Sequence, residues 1–336
     1  MAIKTFREAL NEALREEMQR DKRVFLIGED IAGGMGGHEG APGSSGGMLG
    51  VTKGLYQEFG PNRVIDTPIS ESAIMGAAAG AALAGMRPVA EMMFMDFFGV
   101  CFDQIYNQAA KFRYMFGGQS STPMVIRGMV GAGFGSAAQH SQALWPIFTH
   151  IPGLKVALPS CPADAKGLLI SAIRDQDPVI FLEHKVLYDT KGEVPDGDYA
   201  TPFGVANVTR DGEDVTIVAF GRMVLLANEV ADKLAGEISV EVVDPRTTSP
   251  LDTEVIIESV ECTGKLLVVD EASPMCNLAS EVISVVAIHA IGALRAAPIK
   301  LSPPHTPVPA APNLERLYIP SVAQIEEAVR RLHATG

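Results

Sequence analysis

This sequence is short of positive charge: 27 Lys and Arg stand against 40 Asp and Glu, a formal net charge of −13. No cluster of bases occurs, so the electrostatic footprint of a nucleic-acid binder is missing. A negative chain takes an anionic cofactor only through local groups, such as a metal, a helix N-terminus or a partner's residues. Long apolar runs are also missing. No stretch of about 18 uncharged apolar residues occurs, and no membrane span is expected. Met1-Ala2-Ile3-Lys4-Thr5-Phe6 opens a polar amphipathic helix rather than the apolar core of a signal peptide. The cysteines Cys101, Cys161, Cys262 and Cys276 form no C-x-x-C pair and no zinc-ligand spacing. They read as reduced thiols of a cytoplasmic protein. H-E-x-x-H does not occur, which removes the common zinc-protease signature.

What is present is apolar and periodic. Hydrophobic residues make up 47% of 336, enough for two domains with sizeable cores. Leu10, Ala13, Leu14 and Met18 recur at helical spacing and predict a helix over 6–20. Short apolar runs at 24–28, 62–66, 88–94, 123–127, 154–158 and 178–182 read as buried parallel strands. Helices are expected between them over 72–84, 101–116 and 163–174. The first of these is almost entirely small, with Gly76 and Gly80 one turn apart on one face. Glycine in a helix costs about 1 kcal/mol, so close backbone packing, inside the fold or across a subunit interface, is expected to offset it. The stretch 33–50 is a long Gly-, Ser- and Pro-rich loop.

Between 185 and 203 the pattern breaks into Gly, Pro and Asp, and a second alternating set follows. Its strands are expected at 215–220, 238–243 and 266–269, its helices over 223–234, 279–291 and 321–333. The fold class is therefore α/β, with two domains, each a mostly parallel sheet covered by helices. They span 1–186 and 204–336, joined by a linker over 187–203.

In open parallel sheets, ligands bind beyond the C-terminal ends of the strands. Glu29-Asp30, Ile69-Ser70-Glu71, Asp96-Phe97-Phe98 and Ala138-Gln139-His140-Ser141 fall there. Each has a plain reading. Glu71 can be a carboxylate at the positive end of a helix dipole, His140 a histidine hydrogen-bonded in place, and Phe97 a core residue. Neither 33–50 nor Gly131-Ala132-Gly133-Phe134-Gly135 satisfies the phosphate-loop or dinucleotide patterns.

Five blocks go beyond these plain readings. They are Arg63-Val64-Ile65-Asp66-Thr67-Pro68-Ile69-Ser70-Glu71, Phe102-Asp103-Gln104-Ile105, Ala138-Gln139-His140-Ser141-Gln142, Pro152-Gly153-Leu154-Lys155-Val156 and Pro304-His305-Thr306-Pro307-Val308-Pro309. In this order, over nearly the whole chain, the sequence resembles the β subunits of 2-oxo acid dehydrogenases, of the pyruvate dehydrogenase β type. The stretch 96–119 looks most like the acetoin dehydrogenase branch of that family, and so does the long loop after Glu29.

The resemblance implies a thiamine diphosphate pyrimidine-binding domain followed by a transketolase C-terminal-like domain. It implies an oxidoreductase that cleaves acetoin to acetaldehyde and passes the remaining hydroxyethyl group to lipoamide or a dye. Glu71 matches the glutamate that hydrogen-bonds N1′ of the aminopyrimidine, where a carboxyl group favours the imino tautomer that activates the cofactor. Ile69 falls among the cofactor-binding positions of the same segment. Phe97 matches an aromatic position beside the ring, and Glu29 an acid near it. His140 matches the active-site histidine, which exchanges a proton while the acyl fragment moves to lipoamide. In some relatives potassium binds at positions matching Met124, Ala172, Ile173, Asp175 and Asp177; Asp177 departs from the asparagine of the pyruvate branch.

One family element is missing. The Gly-Asp-Gly segment and later asparagine that hold Mg²⁺ and the diphosphate do not occur; Asp196-Gly197-Asp198 and Asp211-Gly212-Glu213 have the wrong order. Such a metal needs hard oxygen ligands in fixed geometry. The resemblance implies an α subunit that carries them, holding Mg²⁺ in an α2β2 heterotetramer, and a lipoyl-bearing dihydrolipoyl acyltransferase as a further partner. Three alternatives stay open. One is the β subunit of a pyruvate or branched-chain 2-oxo acid dehydrogenase, whose substrate carboxylate needs a positive or donor-rich pocket. Another is a non-catalytic scaffold subunit, in which Glu71 and His140 are structural. The third is a nucleotide-binding oxidoreductase, against which the absence of a dinucleotide fingerprint counts.

Overall fold

The chain enters its first sheet through a capped helix. Strand β1 (Ala2–Thr5) runs into helix α1 (Phe6–Arg20). The Thr5 hydroxyl accepts from the Glu8 N–H, and the Glu8 carboxylate accepts from the Thr5 N–H at 2.7 Å, satisfying two otherwise orphaned donors. The apolar stripe of α1, Phe6, Leu10, Leu14 and Met18, is buried. The computed structural model describes residues 1–33 and 46–335, so most of the expected loop over 33–50 lies outside the described residues.

Contacts divide the chain into two units, Met1–Val130 with Ile147–Phe203, and Gly131–Pro146 with Gly204–Gly336. In the first, β2 (Val24–Glu29), β3 (Val64–Thr67), β4 (Arg87–Phe94), β5 (Val125–Val130), β6 (Lys155–Ala157) and β7 (Val179–His184) pair in parallel. Their order is β6-β7-β5-β4-β2-β3. Every residue of β5 and β7 is buried, as in a parallel sheet covered on both faces. Helix α2 (Glu71–Leu83) packs on β4, and α3 (Pro162–Arg174) packs on α1.

Four features depart from the expected pattern. The helix expected over 101–116 is broken into a 3-10 turn at Met95–Val100, a π-helix at Gln104–Ala109 and one turn at Phe112–Met115. A π-turn inserts one residue and re-aims the side chains that follow. Here Phe98 meets Phe102 at 5.3 Å and Phe102 stacks on Tyr106 at 5.0 Å, a succession of ring contacts that packs apolar area at the surface. The stretch expected as a linker over 187–203 is tied to the first unit. Strand β8 (Lys191–Val194) pairs antiparallel with β1, and the Thr201 N–H donates to the Gly167 carbonyl at 3.1 Å. Residues 131–146 group with the second unit because their backbone N–H groups find carboxylate partners there, as described below. The small face of α2 has no close backbone partner among the described residues. A Cβ at Gly80 would meet nothing within 4 Å, and one at Gly76 only Gln104 Cγ at 3.5 Å.

The second unit holds β9 (Asn207–Arg210), β10 (Val215–Ala219), β11 (Val240–Asp244), β12 (Leu266–Val269) and β13 (Ile299–Leu301) in the order β13-β12-β10-β11-β9. All neighbours pair in parallel except β9 with β11. Helices α4 (Arg222–Leu234), α5 (Thr253–Thr263), α6 (Leu278–His289) and α7 (Val322–His333) complete it. Ile217, Val242 and Leu267 of the sheet and Met223, Ala227 and Val329 of the helices share one buried core. No described helix is long and apolar enough to cross a membrane.

Candidate functional site

Adjacent parallel strands deliver the candidate residues of the first unit to one edge. Glu29 ends β2 and pairs in register with Thr67, the end of β3. Pro68 follows, which disfavours helix at Thr67 and holds the turn extended. Glu71 is the first residue of α2, where a negative charge is favoured by the helix dipole. The Ser72 hydroxyl donates to the Val100 carbonyl at 2.7 Å. That bond fastens the start of α2 to the turn after β4 that carries Phe97. Phe97 is half-buried and meets Phe94 edge to face at 6.0 Å. Ile69 is 73% exposed, an apolar side chain held in the open beside Glu71.

The edge is acidic. Burial pushes the Glu29 carboxyl up from its ordinary value, and the charges of Asp30, Glu71, Asp66 and Glu91 push it further. The Cys101 thiol is pushed up to about 12, first by burial and then by the charge of Glu71. The buried Thr67 hydroxyl has no hydrogen-bond partner among the described residues. A half-buried aromatic ring, an exposed aliphatic side chain, an unsatisfied hydroxyl and a carboxyl pushed above its ordinary value fit a flat, nitrogen-rich heterocycle. They do not fit a diphosphate, which the charges of Asp30, Asp66 and Glu71 would repel. Among the described residues no group of three or more His, Cys, Asp or Glu is arranged to hold a metal.

Behind this edge sits a buried charge network. Arg127, in the middle of β5, donates from Nε and Nη2 to the two carboxylate oxygens of Glu183, each at 2.7 Å. Its Nη1 donates to Glu91. The Tyr188 hydroxyl donates to Glu183 at 2.5 Å. Burial pushes Glu91 up despite the guanidinium beside it.

The residues matched to a potassium site come together, but their acceptors are engaged by cations of the chain itself. One nitrogen of Arg87 donates to the carbonyls of Ile173 and Asp175, each at 2.8 Å. Lys155 Nζ contacts the Asp175 carboxylate at 2.6 Å and Asp177 at 3.7 Å, and Arg113 pairs with Asp177 at 3.0 Å. The Ala172 carbonyl accepts from the Asp175 N–H and the Met124 carbonyl from the Val179 N–H. A donor set already facing three side-chain cations does not fit a further one.

His140 belongs to the second unit, in the segment 131–146, and is half-buried. The glycine-rich turn before it is not an anion cradle, because its N–H groups serve carboxylates of the chain. Ala132 N–H donates to Glu271 at 2.7 Å, and Gly133 and Gly135 donate to the two oxygens of Glu315 at 2.7 and 2.9 Å. Further along, Trp145 Nε1 donates to Asp270 at 3.0 Å. Ala138, Gln142 and Leu144 line a cavity of about 300 Å³ with His305, Ser273 and Tyr318. The Ser273 hydroxyl and His305 Nδ1 share a hydrogen bond of 2.8 Å.

Sequence reasoning missed Asp66, Thr67 and Glu91 as neighbours of Glu29 and Glu71, and the carboxylates Glu271 and Glu315 beneath the His140 segment. The first two lie inside the motif that contains Glu71, so their place was readable. Glu315 left no signal, being drawn to the turn from about 180 residues away.

Residues 3–191 match the transketolase pyrimidine binding domain family and residues 204–325 the transketolase C-terminal domain family. The chain is 63% identical over 329 residues to acetoin:2,6-dichlorophenolindophenol oxidoreductase subunit beta of Cupriavidus necator, covering 98% of this chain and 97% of that one. It is 52% identical over 320 residues to the Bacillus subtilis subunit of the same name, covering 95% and 94%. It is 44% identical over 335 residues to 2-oxoisovalerate dehydrogenase subunit beta of Bacillus subtilis, covering 99% of each. The paired domains and the acidic strand edge define a transketolase-type protein, a class whose cofactor is thiamine diphosphate. Within that class the chain belongs to the β-subunit family of acetoin and 2-oxo acid dehydrogenases, and is a subunit of an oxidoreductase.

Proposed function

We propose that this chain supplies the aminopyrimidine half of a thiamine diphosphate site in an acetoin-cleaving oxidoreductase. An α subunit supplies the diphosphate and Mg²⁺ half in an α2β2 assembly, and a lipoyl-bearing acyltransferase takes the two-carbon fragment. The observation that carries this reading is the strand edge of the first unit, where Glu71 opens α2 among Glu29, Asp66 and Phe97. Glu71 would hydrogen-bond the ring nitrogen, Phe97 and Ile69 would lie against the ring, and the Thr67 hydroxyl would gain a partner. When bound, the cofactor supplies a carbon nucleophile and an electron sink. The side chains move protons. Glu71 shares one with the ring nitrogen, and Glu29, which holds its proton above the usual carboxylate range, keeps a second within reach. His140 exchanges a proton with the substrate fragment.

The acidity of the edge also favours the substrate. Acetoin is neutral, whereas a 2-oxo acid would bring its carboxylate towards the acids of this edge, an arrangement that like-charge repulsion disfavours. The four free thiols suit a reducing, cytoplasmic setting. The test is turnover by this chain co-expressed with its α partner, with thiamine diphosphate, Mg²⁺ and 2,6-dichlorophenolindophenol, comparing acetoin with pyruvate. Turnover of acetoin that is absent with either subunit alone is expected. Turnover of pyruvate alone would overturn the substrate, and turnover of neither would favour a branched 2-oxo acid or a scaffold role.

A further inference from the structure

Residues 131–146 leave the end of β5 and form a strap on the second unit. Two buried carboxylates and a third at its far end fix it. Glu271 takes the N–H of Ala132, and Glu315 takes those of Gly133 and Gly135, one on each oxygen. Asp270 takes the indole N–H of Trp145. Glu271 and Glu315 are 2% and 4% exposed, so water does not compete well for them, and charge-assisted bonds to backbone N–H groups are among the stronger ones. The turn has glycine where it needs it, with φ +124° at Gly133 and +65° at Gly135, backbone that other residues rarely adopt. A further bond from the Gly131 N–H to the Gln142 carbonyl at 3.3 Å draws the two arms of the strap together. His140 lies midway between the anchors at Gly135 and Trp145.

We infer that Glu271 and Glu315 are positioning residues for His140, setting the height and orientation of its imidazole through the backbone of the strap. This rests on the reading of His140 as the proton-exchanging group. The carboxylates touch neither substrate nor cofactor; their effect passes through the peptide units between Gly135 and His140. Proton exchange with a reacting fragment tolerates little displacement, and a shift of about 1 Å costs on the order of 100-fold. Gly133 and Gly135 are themselves exposed, so water can satisfy their N–H groups when Glu315 is removed, and the second unit keeps its fold.

The test uses the assembled enzyme and four variants: Glu315→Ala, Glu315→Gln, His140→Ala and the double variant Glu315→Ala/His140→Ala. Glu315→Ala is expected to lower kcat by about 10- to 100-fold with KM for acetoin nearly unchanged. Glu315→Gln, whose single carbonyl oxygen retains one of the two bonds, should fall between. Amide exchange should speed up in 131–142 and stay unchanged in β12. In the His140→Ala background the further loss from Glu315→Ala should vanish. An equal loss in both backgrounds overturns the positioning role while leaving His140 in place. Full activity of His140→Ala overturns the reading of His140 and this inference with it. Full activity of Glu315→Ala alongside an impaired His140→Ala overturns only the inference, and if Glu315→Ala fails to assemble, the Gln variant carries the same comparison.

Discussion

Replacing Arg127 with Met tests the charge network that supports the acidic edge. Arg127 is 3% exposed and Glu183 fully buried. The guanidinium serves both oxygens of Glu183 and one of Glu91, so three buried groups carry one positive and two negative charges. Removing the cation leaves the two carboxylates without their guanidinium, while the Tyr188 hydroxyl still donates to Glu183. Breaking a buried ion pair from one side costs about 3–5 kcal/mol. In a protein unit of this size about 1 kcal/mol moves Tm by roughly 2–4 °C, so a fall of about 6–20 °C follows. The sign of the pH dependence is fixed as well. Burial already raises Glu91, and a carboxyl raised in the folded state contributes stability at low pH and loses it as pH rises through its folded value. Loss of the guanidinium strengthens this effect. The deficit against the unaltered chain should therefore be larger at pH 8 than at pH 5.5. Calorimetry of the assembled enzyme at both pH values measures it. A loss below about 1 kcal/mol, or an equal loss at both pH values, would show that the charges are compensated in some other way.

Other consequences are as direct. Glu71→Gln should lower acetoin turnover by about 100- to 10,000-fold with the assembly intact by size-exclusion chromatography; an unchanged rate would make Glu71 structural. At pH 8 the exposed Cys262 and Cys276 should react with iodoacetamide in the folded protein, while Cys101, buried and with its thiol pushed up to about 12, should not; its modification before the exposed thiols would contradict the burial. Asp270 is pushed up to about 6 by burial, against the pull of the donors around it, and it accepts from the chain's one tryptophan. Trp145 emission should therefore titrate near pH 6, and the stability that protonated Asp270 contributes should be lost as pH rises from about 4 through 6, on the order of 3 kcal/mol in all. A flat emission profile between pH 5 and 7.5 would refute this.

Much of this was legible in local pattern. Helix α1 coincides with its expected bounds because a capping box and an apolar stripe agree on them. The parallel strands were readable as short apolar runs, and Glu29 and Glu71 because each sits at an element boundary, where parallel sheets bind ligands. What failed was non-local. The stretch 187–203 looks like a linker, yet β8 gains its partner from β1 at the other end of the chain. The run 101–116 has helical composition, yet its rings stack best through a π-turn. The glycine-rich turn at 131–135 fails the phosphate-loop pattern, and no feature of the turn itself identifies Glu271 and Glu315 as the partners of its N–H groups. The potassium positions were matched one by one, but the match said nothing about Arg87, which comes from another strand.

Carboxylates do three different jobs in this chain, and environment alone separates them. At the strand edge Glu29 and Glu71 remain partly accessible, so a ligand can reach them. In the first unit's sheet Glu183 is buried and matched by a guanidinium. In the second unit Glu271 and Glu315 accept from backbone N–H groups, which do not titrate. If Glu315 acts by positioning His140, its substitution should change the height of the pH profile for acetoin turnover without moving its midpoints. A positioning group alters how often the reacting geometry is reached; a titrating group alters the fraction of enzyme in the right protonation state. The two effects are therefore distinguishable in one experiment.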